Sequence, residues 1–407
     1  MGALSGARLV AIVCAAQVLA QIGAYFWPAL LPTMIPLWGL TNSEAGWITG
    51  IFYAAYLVSV PVLVTLTDRV DAKKVYLFGV ACTVVAHVMF GLYADGFWSA
   101  LATRALAGMG WAGTYMTGLK LLADRVDSKL MARAVSGHAA GVGVSGALSF
   151  SCAGLLADAY GWQAAFIVAG LSAALAWVFV TLSVPRRARA AAKADSGAPL
   201  FDFRPVLRNR SAMAYSIYCI HTLEMNALRG WGVAFLGYVA VGAGMENPPI
   251  SPTAVLTGLG LLGTVASVLG NEAAIRLGRR RLIGFAMLAS TAVAAAIAFF
   301  GMISYWVAVA LLLVYGFIVW LDSSSLTAGS AGTADPERRG ATLAIHSMLG
   351  YAGGFVGPLM IGVILDLSGG MSDAGWRLSF LAVGALMLAA FVVFLAMRPR
   401  VLAGDRQ

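Results

Sequence analysis

DRVDAKKVYLFGVACTVVAHVMFGLYAD, residues 68–95, contains twenty uncharged and mostly apolar residues (75–94) between a basic flank and an acidic flank. As a helix, about 20 apolar residues span the ~30 Å hydrocarbon core of a bilayer. Lys73 and Lys74 precede this run, and Asp95 follows it. Because basic residues collect on the cytoplasmic side of membrane helices, the stretch predicts a transmembrane helix that begins at the cytoplasmic face.

Windows of the same kind recur along the whole chain. There are twelve, roughly at 9–37, 45–66, 75–94, 98–123, 134–157, 163–184, 211–242, 252–275, 282–303, 306–330, 341–366 and 377–397. The short alternating segments of a membrane barrel are absent from this pattern. The sequence therefore predicts an all-α polytopic membrane protein with 12 transmembrane helices.

The composition of the 407 residues supports this class. The chain is 60% hydrophobic and 11% charged, with a mean hydropathy of +0.84, whereas soluble proteins have about 25% charged residues. This excludes an ordinary soluble enzyme. The four cysteines lie singly in four different windows, so neither a disulfide framework nor a metal site is expected. We predict no cofactor.

The basic residues repeat the asymmetry of the first stretch at every second loop. If both termini are cytoplasmic, 23 of the 27 Lys and Arg residues fall in inner loops and tails. The outer loops then contain the acids Glu44, Asp95, Asp158, Glu246 and Asp373. This positive-inside pattern predicts a multi-pass protein of the cell (inner) membrane with both termini cytoplasmic. Because the +9 net charge is divided among short loops, no nucleic-acid partner is expected.

The sequence predicts that the chain consists of two halves. A polar, basic stretch at 185–210 separates an N-terminal six-helix bundle (1–184) from a C-terminal six-helix bundle with a short tail (211–407). Gly161-Trp162 and Gly375-Trp376 each precede a phenylalanine four residues beyond the tryptophan. Such parallel repeats occur in one large transporter fold.

The chain resembles the major facilitator superfamily over essentially its whole length, and three motifs carry this resemblance. The loop after the second window resembles the family pattern Gly-x-x-x-Asp-Arg-x-Gly-Arg-Arg through Asp68 and Arg69, although Val64 and Asp71 replace its glycines. Arg104-x-x-x-Gly108 matches an intramembrane motif of the fourth segment. The glycines of the fifth window resemble the antiporter motif without its proline, so export does not follow from them.

The resemblance implies a cytoplasmic gating loop in each half. Its predicted members are Asp68, Arg69, Lys73 and Lys74 after the second window, and Glu272, Arg276 and Arg279 after the eighth. Glycines of the fifth and eleventh windows are predicted to form helix-packing surfaces rather than ligand sites. They are Gly137, Gly141, Gly353 and Gly357.

Ionisable residues inside membrane segments are costly, so they usually mark function. Apart from Lys120, which is close enough to the surface to snorkel, they are Arg104, Glu224, Arg229 and Asp322. In the family, segments 1, 4, 7 and 10 line the central path, and all of these residues fall on that subset. The predicted substrate-binding and cavity residues are Gln17, Gln21, Tyr25, Arg104, Tyr115, His221, Glu224, Arg229, Trp320 and Asp322.

Glu224 and Asp322 are the candidates for proton coupling, because they are the only carboxylates well inside the windows. Glu224 is favoured, since it lies near the middle of its window. The two arginines suggest a small organic anion as substrate, while the two acids also permit a zwitterion or a cation. His221 shares a helix face with Glu224 and could assist a proton relay.

The leading hypothesis is a secondary active transporter that moves a small polar organic solute by alternating access, with proton coupling. It is not expected to be an enzyme. We expect it to act as a monomer whose partners are the substrate, protons and the lipid bilayer. The alternatives are a proton-driven efflux antiporter for drugs or metabolites, and a membrane receptor without transport. A primary pump is excluded by the lack of a nucleotide-binding loop.

Overall fold

The computed structural model describes residues 6–67, 69–185, 204–335, 338–402 and 405. All regular elements in this part of the chain are helices. Eight of these helices are long and apolar enough to cross a membrane, judged by length and composition. The fold is all-α, as the sequence predicts, and the chain divides into two compact units.

The first unit comprises Met1–Leu40 and Ile51–Ser196. Its helices are α1 (Gly6–Gln21), α2 (Phe26–Ala29), α3 (Leu31–Trp38), most of α4 (Asn42–Leu66), α5 (Ala72–Tyr93), α6 (Phe97–Ala123) and α7 (Ser128–Ser183). α1 packs on α7, and α5 packs on both α6 and α7. Residues 186–203 of the predicted linker lie outside the described residues, and the predicted domain boundaries stay a prediction.

The first predicted window is interrupted after Gln21, where a turn separates α1 from α2. Pro28 has no N–H to give to the carbonyl of Ala24, which is one reason why a regular helix does not continue here. Arg104 of α6 donates to that carbonyl instead, over 3.1 Å. Tyr25 precedes α2, so it does not continue the helix that contains Gln17 and Gln21.

α7 contains two predicted windows that meet at Gly161. Its backbone there has φ 86° and ψ 160°, which is not helical. A positive φ is accessible to glycine at little cost, so the chain turns between the windows 134–157 and 163–184. The tryptophan that follows packs on Trp38 and Phe90, with ring centroids 5.4 and 6.1 Å away.

The second unit comprises Thr41–Gly50 and Gly197–Gln407. Its helices are the first turns of α4, α8 (Arg204–Arg208), α9 (Arg210–Tyr215), α10 (Tyr218–Gly242), α11 (Pro252–Leu277), α12 (Arg279–Phe300), α13 (Tyr305–Leu321), α14 (Ser323–Thr333), α15 (Arg339–Leu367) and α16 (Asp373–Met397). α10 packs on α15, α12 on α16, and α11 on α13. Trp376 of α16 packs on Trp231 and Phe235 of α10.

The start of α4 is capped twice. Thr41 and Glu44 form a capping box, in which each side chain accepts from the other residue's backbone N–H. Asp366, at the end of α15, also accepts from the backbone N–H groups of Asn42 and Ser43 over 3.0 and 2.7 Å. A carboxylate at this position complements the positive end of the helix dipole. These contacts attach the first turn of α4 to α15.

The predicted packing glycines have different surroundings in the two units. A Cβ atom on Gly353 or Gly357 would collide with the backbone of α10, at the carbonyls of Cys219 and Leu223. A Cβ atom on Gly137 or Gly141 would make ordinary contacts with α1, at 3.5 and 3.6 Å. Of these two helix pairs, α10–α15 needs glycine for the close approach of its backbones, and α1–α7 does not.

Candidate functional site

Arg104 is a buried cation without an acidic partner. Its side chain is 2% exposed, and its Cζ atom lies 4.6 Å from the ring centroid of Phe52. Its Nη1 atom donates to the Ala24 carbonyl, and its Nε atom has no hydrogen-bond partner. Among the described residues no carboxylate lies within 4 Å of it. A buried charge without a counter-ion is unfavourable by several kcal/mol, so this guanidinium is suited to receive an anion.

Two glutamines of α1, Gln17 and Gln21, are also buried in the first unit. Gln21 donates from Nε2 to the hydroxyl of Thr114 over 3.1 Å, and Gln17 accepts from the hydroxyl of Tyr76 over 3.3 Å. Their other polar atoms, Oε1 of Gln21 and Nε2 of Gln17, are buried without partners. Gln21 and Phe52 line one small cavity. The predicted residues of segments 1 and 4 thus leave unused donors and acceptors inside the unit.

The two predicted tyrosines of this unit make aromatic contacts. Tyr25 stacks on Phe150 with ring centroids 5.3 Å apart, and its backbone N–H donates to Ser149. Tyr115 stacks on His138 at 5.9 Å, and Nε2 of that histidine lies 3.0 Å from the Tyr115 carbonyl. Both tyrosines therefore hold α7 against its neighbours.

Glu224 is held by hydroxyl groups inside the second unit. Its carboxyl group is 1% exposed, and Oε1 accepts hydrogen bonds from Ser290 of α12 and, over 2.6 Å, from Tyr315 of α13. No hydrogen bond reaches Oε2 from the residues that the structure describes. Ser290 was not predicted, because a serine within an apolar window gives no signal of its own.

Asp322 lies at the junction of α13 and α14, beside His221 of α10. Nδ1 of His221 and Oδ1 of Asp322 are 2.9 Å apart, a close contact that is not aligned as a hydrogen bond. Tyr218 stacks on His221 at 5.3 Å and on His346 at 4.3 Å. Three predicted residues of segments 7 and 10, His221, Glu224 and Asp322, therefore lie in one buried polar region of the second unit.

Arg229 and Trp320, predicted separately as cavity residues, contact each other. The Cζ atom of Arg229 lies 4.7 Å from the centroid of the Trp320 ring, which is the geometry of a cation–π contact. Five residues along α10 separate Arg229 from Glu224, so the two side chains point to different sides of the helix.

The predicted gating residues have three kinds of surroundings. Asp68 lies outside the described residues, and Arg69 and Lys74 are exposed. Lys73 is buried and donates to the carbonyls of Thr181 and Val184 at the end of α7. Asp71, which was noted only as a replaced glycine, accepts from the backbone N–H of Lys73 and pairs with Arg125 over 2.5 Å.

The second predicted gating cluster contains an exposed pair, Glu272 and Arg276, and a buried residue, Arg279. Glu272 and Arg276 form an exposed pair, 2.7 Å apart, within α11. Arg279 is buried and donates to both carboxylate oxygens of Asp405, over 2.8 and 3.0 Å. This arginine fastens the C-terminal tail to α12, a contact that the sequence pattern did not indicate because its partner lies 126 residues away.

Two helical units with repeated Gly-Trp packing, each with a buried polar cluster, define a polytopic membrane protein built from a duplicated bundle. The family model of the Major Facilitator Superfamily matches residues 13–358 and 249–406. The chain belongs to this superfamily, whose members are membrane transporters.

Curated relatives include Protein spinster homolog 1. The chain is 26% identical to the Bos taurus protein over 289 residues, which cover 67% of this chain and 54% of that one. It is 26% identical to the Rattus norvegicus protein over 420 residues, covering 94% and 78%. The match thus spans about half the length of the bovine relative. A probable 4-methylmuconolactone transporter of Cupriavidus pinatubonensis is 23% identical over 202 residues, covering 49% and 47%.

Solved structures have the same fold. A bacterial homolog to the human lysosomal transporter Spinster, in an inward-facing and occupied conformation, has a TM-score of 0.78 at 16% identity and covers 96% of both chains. The nucleoside transporter NupG has a TM-score of 0.72 at 13% identity, covering 95% of this chain and all of that one. The MFS fold is therefore established for the chain.

Proposed function

We propose that the protein is a secondary active transporter that moves a small organic anion by alternating access, coupled to protons. The observation that carries the anion preference is the buried Arg104 guanidinium, with a free Nε and no carboxylate within 4 Å among the described residues. A bidentate carboxylate or phosphate would supply the missing charge and hydrogen bonds. A relative named as a probable 4-methylmuconolactone transporter supports a small organic solute as substrate.

The proposed proton carrier is Glu224. Its carboxyl group is buried and bonded only to neutral hydroxyl donors, and a charged carboxylate in such surroundings is costly. Asp322, by contrast, has an imidazole 2.9 Å away that can share its charge. A cycle in which Glu224 takes up a proton and releases it again would couple substrate movement to the proton gradient.

The proposed setting is the cell (inner) membrane, with both termini cytoplasmic and the chain acting as a monomer. The superfamily membership supports transport rather than catalysis or signalling by a receptor. An efflux antiporter is distinguished from an importer by the direction of the pH gradient that drives accumulation.

Purified protein in proteoliposomes tests this proposal with a panel of radiolabelled organic acids, amino acids and amines. We expect an imposed pH gradient to drive accumulation of an acid. Glu224→Gln should abolish that accumulation yet leave exchange of labelled for unlabelled substrate intact, because exchange needs no net proton movement. Asp322→Asn is the matched control and should retain gradient-driven accumulation. If Glu224→Gln still accumulates substrate when the pH gradient is imposed, the proposed role of proton carrier passes to Asp322.

A further inference from the structure

Glu224 lines a small space inside the second unit. Side chains of α10, α13, α15 and α16 surround it, including Trp231, Tyr315, Trp376 and Ser379. About 20 Å³ of this space is open to the centre of a water molecule, and about 10–15 Å³ suffices for one. We call it the Glu224 chamber, defined by Glu224, Trp376 and Ser379.

Two residues that line the Glu224 chamber, Trp376 and Ser379, each have a polar side-chain atom without a hydrogen-bond partner. Both residues are only 1% exposed. Nε1 of Trp376 and Oγ of Ser379 make no hydrogen bond. A buried donor without a partner is unfavourable. Oε2 of Glu224 likewise receives no hydrogen bond from the described residues. A water molecule in a protein interior makes 2–4 hydrogen bonds, and three residues that line the chamber, Glu224, Trp376 and Ser379, have a polar atom without a partner among the described residues.

The internal repeat shows that these groups are particular to the second unit. Trp162 and Trp376 occupy the same place in the two Gly-Trp motifs, and both pack on aromatic rings. Three residues further on, the first unit has Ala165 where the second has Ser379. The packing function of the motif therefore does not require the serine hydroxyl.

Other ionisable groups around Glu224 already have neighbours. On its own helix, His221 contacts Asp322 of the α13–α14 junction, and Arg229 lies over the ring of Trp320. From α13, Tyr315 donates to Oε1. α12 and α15 contribute Ser290 and Ile361. Among the residues that line the chamber beside Glu224, those with an unpartnered polar atom are Trp376 and Ser379 of α16.

We propose that the Glu224 chamber holds water and is the compartment through which Glu224 gains and loses its proton. The inference rests on the proposed role of Glu224 as proton carrier. Water in the chamber accepts a hydrogen bond from the Trp376 indole N–H and donates to Ser379 and to Oε2. On release, the proton passes from the carboxyl group to this water as hydronium; on loading, the same transfer runs in reverse.

Beside Trp376, outside the residues that line the Glu224 chamber, a polar pair lies at the start of α16. The hydroxyl of Tyr238 donates to the exposed carboxylate of Asp373 over 2.7 Å. The Tyr238 ring centroid lies 6.3 Å from that of Trp376. Asp373 and Trp376 lie in the first turn of α16, and Ser379 follows one turn later. Proton exchange through the chamber therefore runs along α10 and α16 within this unit.

Infrared difference spectroscopy tests the chamber without any substrate. The full-length protein in lipid is transferred from H₂O to D₂O, and the shift of the protonated-carboxyl band is followed in time. The band is assigned to Glu224 by its loss in Glu224→Gln. We expect Ser379→Ala and Trp376→Phe each to slow the exchange about tenfold, the effect of removing one hydrogen bond to the water. Ser379→Leu, which fills the space, should slow it further.

The matched control is Trp162→Phe, which removes an indole N–H from the same motif in the first unit and should leave the exchange rate unchanged. Equal exchange rates in wild type, Ser379→Ala, Trp376→Phe and Ser379→Leu would overturn the proposed role of the chamber. They would leave the proposed role of Glu224 as proton carrier unaffected. If Trp376→Phe fails to fold, the exchange rates of Ser379→Ala and Ser379→Leu alone test the proposal. A wild type that lacks a Glu224-dependent band would overturn the proton-carrier role and the chamber together.

Discussion

Arg104 satisfies a carbonyl that a proline leaves free, and it also offers an unused donor. Arginine meets both demands because its planar guanidinium presents five N–H groups in a fixed fork, whereas the lysine ammonium is a point charge. Glu224 is likewise partly bonded. Its Oε1 accepts hydrogen bonds from two hydroxyls, and its Oε2 accepts none from the described residues. Both residues are thus partly bonded by the fold and partly available for function.

Arg104→Lys should raise the dissociation constant of an identified anionic substrate about tenfold, because Lys cannot bind a carboxylate bidentately. Equilibrium binding to the purified variant measures this. Arg377→Lys is the matched control, since Arg377 also donates to a carbonyl, that of Ala298, and lies 5.7 Å from an aromatic ring. Binding that is unchanged in Arg104→Lys would leave the arginine with a purely structural role.

At the scale of elements, the pair α10–α15 and its pseudo-equivalent pair α1–α7 differ in how much their close approach depends on glycine. α10 and α15 meet backbone to backbone at Gly353 and Gly357, while α1 and α7 leave room for a methyl group. Glycine in a helix otherwise costs about 1 kcal/mol relative to alanine. The two pseudo-equivalent helix pairs therefore respond differently to the same substitution.

Gly353→Ala should lower stability by about 1–3 kcal/mol, because the new methyl group forces α10 and α15 apart. Gly141→Ala, in the corresponding helix of the first unit, should be neutral or raise stability by about 0.5–1 kcal/mol. Thermal unfolding of both variants in the same detergent compares them directly. Equal shifts for the two variants would show that the close approach at Gly353 relaxes freely.

At the scale of the whole molecule, the distribution of basic residues predicts the orientation in the membrane. In a variant whose four native cysteines are replaced, a cysteine at Asp158 should react with an impermeant thiol reagent on intact cells. A cysteine at Arg276, where the side chain is 73% exposed, should react only after the cells are opened. Labelling of position 276 in intact cells would reverse the predicted topology.

The sequence by itself determined the membrane class, the helical fold, the duplication and the family. These properties follow from hydropathy, charge and repeated motifs, which are patterns along the chain and are imposed by the bilayer as solvent. The sequence also identified Arg104, Glu224 and Asp322 as unusual, because a charge inside an apolar window is visible without any structure.

Only the tertiary structure determined which groups these residues meet. The partners of Arg104 and Glu224 lie 66 to 91 residues away in the chain, and nothing in a local pattern selects Ala24, Ser290 or Tyr315. The break after Gln21 and the burial of Lys73 and Arg279 were hidden for the same reason. A hydrogen bond depends on distance and direction in space, and helix packing alone brings such distant residues within reach of one another.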